Sequence, residues 1–154
     1  MKFKMILISL IAITMLISAC SNDATEIESE YADLPNTVNE AQTILELTTD
    51  KKAYPTQVKE LVLKIKNTGK IPVRFGTPYD LEKLINGEWY HHMPNKERAF
   101  TALGIEVEPN SEYEQTVPID QWDDQLTEGT YRVIKSFTTD DGDFVLAAEF
   151  EIKE

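Results

Sequence analysis

The chain has 154 residues, 42% of them apolar and 27% charged, with 27 acidic against 15 basic side chains and one cysteine. That length supports one domain with a hydrophobic core but not two, and a net charge of −12 excludes the dense Lys and Arg that nucleic acid or anionic polymers require. A lone cysteine rules out an internal disulfide, so the folded part is held by packing.

Met1, Lys2, Phe3 and Lys4 make a short positive start, and Met5 to Ile17 follow as a nearly unbroken apolar stretch before the small residues Ser18 and Ala19. Charge, length and exit are those of a secretory signal over residues 1–19. The oily part is shorter than the roughly 20 residues needed to span a bilayer. Without Lys2 and Lys4 the remainder carries 13 basic against 27 acidic residues, a net −14. Such a surface leaves divalent cations and basic peptides as charge-compatible partners.

The tetrad Ile17-Ser18-Ala19-Cys20 resembles the bacterial lipobox, an aliphatic residue and two small residues before cysteine. The resemblance implies that a diacylglyceryl group joins the Cys20 sulfur, that a signal peptidase cuts before it, and that the chain is held at the extracytoplasmic face of the cell membrane. Two acyl chains anchor stably where one is marginal. Ordinary cleavage leaving a free thiol is the alternative.

Residues 20–42 are expected to be a lipidated N-terminus and a disordered acidic linker, since "SNDATEIESEYADLPNTVNEAQ" has no sustained helical or alternating period. A flexible spacer of roughly 20 residues has a typical reach near 25 Å, enough to lift a small domain clear of headgroups.

From Thr43 to Glu154 short alternating runs separated by turn residues point to an all-β antiparallel sandwich of about seven to nine strands, which the corner and the resemblance given below make Ig-like. In "VKELVLKIKN", Leu61, Leu63 and Ile65 share one face while Val62, Lys64 and Lys66 take the other. Pro72 in "IPVRF" favours a strand start or an edge.

Asn86-Gly87 is a strong hairpin cue because a type I′ turn needs positive φ at both central residues. A two-residue loop there pairs Ile85 with Glu88, Leu84 with Trp89, Lys83 with Tyr90 and Glu82 with His91. His91 and His92 then point to opposite faces and cannot easily share a metal, so no metal site is expected. The stretch 91–109 is the least regular part of the domain. Its Met93, Pro94, Phe100 and Leu103 suit a strap closing the core, or a contact patch.

In "LTEGTY", Tyr131 suits the tyrosine that hydrogen-bonds back along the chain at the corner of an Ig-like sandwich, with Gly129 easing the bend and Leu126 as an apolar plug. If Asp141-Gly142 form the last turn, Phe137 faces Leu146, Val133 faces Phe150, Tyr131 faces Ile152 and Arg132 meets Glu151. Lys135 then sits on the apolar side opposite Ala148, and must snorkel at an edge or mark a bulge.

The strings "FGTPYDLEKLINGEWY", "LTTDKKAY", "LTEGTYRVIKSF" and "LAAEFEIKE" resemble the bacterial Ig-like domain found in small extracellular and lipoprotein chains of Gram-positive bacteria. The likeness covers about Thr43 to Lys153. It implies a sandwich with no established catalytic residues to carry over. Unlike antibody domains, the chain has no cysteine pair to bridge the sheets, and neither Trp89 nor Trp122 is assigned to the usual buried position.

Carboxylates cluster in "DQWDD" (120–124) and "TDDGD" (139–143), but neither has the ligand spacing of an EF-hand loop. Asp140, Asp141 and Asp143 suit a polar hairpin tip. No Gly-x-Ser-x-Gly, phosphate loop or His-Glu-x-x-His occurs. The expectation is a non-enzymatic module without a cofactor, anchored through Cys20, that binds an envelope protein or peptide and not nucleic acid. An extracellular protease inhibitor presenting a loop is the rival within binding; a hydrolytic enzyme and a plain structural spacer are the rivals outside it.

Overall fold

The alternation of residues 43–49, 60–67 and 142–152 becomes strands whose inward side chains meet between two stacked sheets. A computed structural model describes residues 27–92, 103–119 and 126–154. Its strands, in chain order, are β1 (Ile27–Glu28), β2 (Thr37–Glu40), β3 (Thr43–Thr49), β4 (Ala53–Tyr54), β5 (Glu60–Asn67) and β6 (Val73–Gly76). They continue as β7 (Asp80–Ile85), β8 (Glu88–His91), β9 (Gly104–Val107), β10 (Ser111–Pro118), β11 (Gly129–Thr139) and β12 (Gly142–Ile152).

The first sheet runs β1-β8-β7-β11-β12-β4, with β6 joining β11 and carrying β9; the second runs β10-β5-β3-β2. All pairs are antiparallel except β12 with β4. Leu45, Leu47, Leu61, Leu63, Ile65 and Val117 of the second sheet face Leu81, Val133, Phe137, Leu146 and Phe150 of the first, all nearly inaccessible. Fully burying each such side chain is worth about 1.5–3 kcal/mol. Tyr131 and Phe150 stack at 5.7 Å between ring centroids, and Tyr54 meets Phe150 edge-on at 5.6 Å.

The all-β Ig-like sandwich stands, with twelve strands among the described residues instead of seven to nine, because two-residue strands are too short to leave a periodic trace. The expected disordered linker is corrected over residues 27–42. Strand β1 extends β8, pairing Ile27 with His91, and β2 extends β3, pairing Val38 with Leu45, so ordered structure begins at least sixteen residues before Thr43. Polar composition hid these strands because each is an edge with mostly exposed side chains.

The Asn86-Gly87 hairpin has the expected register, with φ of 54° and 93° at its tip. The last hairpin does not. Asp140 and Asp141 form the turn, so Phe137 faces Phe144, Lys135 faces Leu146, Val133 faces Ala148, Tyr131 faces Phe150 and Arg132 faces Glu149. Gly142 takes its positive φ of 143° as the first residue of the return strand instead of the second of the turn. The turn is held by Asp141 Oδ2, which accepts from Gln42 N at 2.8 Å and Thr43 Oγ1 at 3.0 Å, contacts no local rule supplies. The slip is two residues, so every side chain keeps its face.

Lys135 neither snorkels nor bulges. The ladder is continuous around it, and the residue is 2% exposed. Its Nζ donates to Gly76 O at 2.6 Å and Pro78 O at 3.0 Å and lies 4.8 Å from the centroid of the Phe75 ring.

Candidate interaction site

Between β1 and β2 the chain does not leave the domain; it crosses the outer face of the first sheet as a strap. Ser29 N donates to Trp89 O at 2.8 Å on the β8 side, and Ala147 N donates to Pro35 O at 3.0 Å on the β12 side. Leu47 N then donates to Asn36 O at 2.8 Å, carrying the chain into the second sheet.

Arg132 is the pin under this strap. Parity along β11 turns it away from the core, beside Glu82 of β7. Its Nε donates to Glu82 Oε2 at 2.7 Å, Nη1 to Ala32 O at 2.7 Å, and Nη2 to Tyr31 O at 3.0 Å and Ser29 Oγ at 3.4 Å. Both charged side chains are fully buried. A buried guanidinium is tolerable only when its donors are satisfied, and here a carboxylate and two strap carbonyls do so. The same guanidinium lies 4.2 Å over the Trp89 ring. His91 Nδ1 stands 3.4 Å from Glu82 Oε1, an oxygen that makes no hydrogen bond among the described residues.

Between strap and β7–β8 hairpin tip opens a cleft of about 420 Å³. It is lined by Glu28, Glu30, Tyr31 and Asp33 from β1 and the strap and by Glu88 and Trp89 from the hairpin. A second groove, of about 330 Å³, lies where the strap leaves β12, with Leu34, Pro35, Leu47, Lys52, Ala147 and Glu149 around it. Its charges are mixed. Sequence reading found neither, because both are made by the strap.

The residues singled out from the sequence are dispersed. Tyr131 Oη donates to Thr127 O at 2.9 Å, with Leu126 buried just upstream and Gly129 at φ 148°. His91 faces the Glu82 side while His92 meets the Tyr131 ring edge-on at 5.9 Å. Among the described residues no group of three or more His, Cys, Asp or Glu is placed to hold a metal ion. In the 139–143 turn Asp141 is engaged by β3, and Asp140 Oδ1 takes Arg74 Nη1 at 3.3 Å. Arg74 also bonds Glu106, and both acids raise its already high pKa. The tetrad Ile17, Ser18, Ala19, Cys20, the 120–124 acids, Trp122, Met93, Pro94 and Phe100 lie outside the described residues. No helix among the described residues is long and apolar enough to cross a membrane.

A family model for the bacterial Ig-like domain matches residues 41–151. No curated protein matches the chain. Among solved structures, a β-glucosidase from Erythrobacter marinus shares 12% identity at a TM-score of 0.35, over 72% of this chain and 16% of that one. A Listeria innocua β-glucosidase in complex with glucose shares 17% at 0.35, over 82% and 19%. The chain thus spans less than a fifth of either enzyme's length, and likenesses this distant say nothing of activity.

Proposed function

Because the chain belongs to the bacterial Ig-like domain family, we propose that it is a lipid-anchored interaction module on the extracytoplasmic face of a bacterial cell membrane, acting by binding an envelope protein or peptide. The observation that carries this reading is the order of parts: an apolar run closed by Ile17-Ser18-Ala19-Cys20, six residues, and then Ile27, where the first strand among the described residues already belongs to the sandwich. Six residues span at most about 22 Å even fully extended. A diacylglyceryl group on Cys20 would therefore hold the strap edge of the domain next to the headgroups, closer than a linker reaching to residue 42 would.

The test is acyl labelling and fractionation of Cys20→Ala in cells. The reading expects loss of the label and either release of the domain or an unprocessed precursor; unchanged labelling and membrane retention overturn it. Cross-linking on intact cells checks the binding half. A specific adduct is expected, and a domain that captures nothing argues for a spacer.

A further inference from the structure

We propose that residues 27–35 form a releasable tether: β1 and the strap open as a unit from the first sheet, with their hinge at Asn36, while the sandwich from Val38 onward stays folded. The use of this opening as a tether rests on the lipid-anchor reading; the opening itself does not.

Burial is the first ground. No side chain from Ile27 to Thr37 is buried, and Val38 is the first that is. The core cluster and the half-buried apolar residues packed on it include none from this segment. Opening therefore takes no residue out of the core, and a segment with few buried apolar contacts belongs to the least stable cooperative units of a fold. The bond from Leu47 N to Asn36 O at 2.8 Å lies at the hinge, so β2 keeps its place beside β3.

The bonds that hold the strap are the second ground. They run from Ser29 N to Trp89 O, from Ala147 N to Pro35 O, and from Arg132 to Ser29 Oγ, Tyr31 O and Ala32 O. Water offers each of these groups a replacement once the strap lifts. Arg132 keeps Glu82 Oε2 at 2.7 Å, so no lone charge is left on the uncovered face. Glu82 Oε1 is buried without a hydrogen bond among the described residues, and uncovering that face gives it water. The closed strap thus leaves an acceptor unsatisfied that the open one does not.

Position in the chain gives the opening its use. Ile27 stands on the edge strand of the first sheet, at the end of the segment nearest Cys20. A pull on that end loads the strap's contacts one after another, whereas β11 and β12 share a load along a ladder of eleven residues each. With the strap closed, the six residues before Ile27 span at most about 22 Å; with it open, the fifteen from Ser21 to Pro35 span at most about 54 Å. The domain then has a near and a far station above the membrane.

Hydrogen exchange under native conditions, read amide by amide by NMR on the full chain in detergent, tests the opening. Ala147 is the informative site. Its amide bonds Pro35 O, while alternation along the ladder turns the amides of Leu146 and Ala148 toward β11. Ser29 and Ala147 are expected to share one protection factor within about threefold, at least tenfold below those of Leu146 and Ala148. In Arg132→Met with Glu82→Leu, which removes the pin without stranding a charge, that gap should widen at least another tenfold. Protection of Ser29 and Ala147 equal to that of Leu146, or no widening in the double variant, overturns the proposal. A strap that exchanges as expected on a chain whose Cys20 takes no acyl label overturns the anchor reading and leaves the opening in place; a labelled chain whose strap exchanges with the core overturns this proposal alone.

Discussion

The Arg132 guanidinium carbon lies 4.2 Å from the centroid of the Trp89 ring while Nη1 of the same group donates to Ala32 O at 2.7 Å, so one side chain of β11 braces the hairpin and the strap together. The strap is thereby part of the sandwich, pinned by Arg132 between the backbone bonds of Ser29 N to Trp89 O and Ala147 N to Pro35 O.

Replacing that residue tests the arrangement. Arg132→Met leaves Glu82 as an unpaired buried charge, for which a loss of about 3–5 kcal/mol is expected in urea unfolding. Adding Glu82→Leu should recover most of it, since a buried pair replaced whole by apolar groups is often neutral or better. A single-variant loss below about 1 kcal/mol would show that the strap is held by other contacts.

Burial pushes the Lys135 amine down to about 8 from an ordinary 10.5. As pH rises the folded chain releases this proton first, so the unfolded chain binds more protons between about pH 8 and 10.5, and stability rises across that window by up to about 3 kcal/mol. Tyr54 acts with the opposite sign. Burial first, then its bond to Asp50, push the phenol up to about 12, so its contribution is whole below pH 10 and is lost as pH climbs toward 12. Denaturant midpoints should climb from pH 8 to 10 and then fall. Lys135→Met should abolish the climb and Tyr54→Phe should soften the fall; a Lys135→Met profile parallel to the parent would refute the assignment.

Tyr131→Phe removes the bond from Oη to Thr127 O at 2.9 Å and keeps the ring stacked on Phe150. A loss of about 1 kcal/mol is expected from the hydrogen bond alone. Thermal unfolding measures it. No change would mean that the corner is held by packing.

Gly69→Ala should destabilise by about 1–3 kcal/mol. A Cβ there would meet Gln42 O at 2.5 Å and Ile44 N at 2.7 Å, both backbone atoms of the neighbouring turn and strand. The Lys70 N to Gln42 O bond of 2.8 Å and the Thr68 N to Ile44 O bond of 2.9 Å would have to open. Gly104→Ala is the control, with nothing within 4 Å of its Cβ. Equal midpoints for the two variants would count against the close approach.

Much of the sandwich was legible from the order of residues. Leu61, Leu63 and Ile65 fall inward because side-chain direction alternates with every residue, and the Asn86-Gly87 register follows from the φ values that a two-residue turn demands. The last hairpin was misjudged by two because Asp-Gly favours one turn locally, while Asp141 is drawn one position back by Gln42 and Thr43. Lys135 stands out on an apolar face, but its partners Gly76 O and Pro78 O, at the end of β6 and in the turn after it, are nearly sixty positions away.

What the amino-acid order decides alone is local: the signal-like apolar run, the tetrad ending at Cys20, and which side of each strand faces inward. Those depend on charge, hydropathy and a two-residue period, none of which needs a distant partner. Only the tertiary structure decided that residues 27–36 lie across the sheet, that Arg132 is buried on a face alternation assigns to solvent, and that four acids gather beside Trp89. The covering segment comes from about a hundred positions upstream, and no local period can register a contact across that distance.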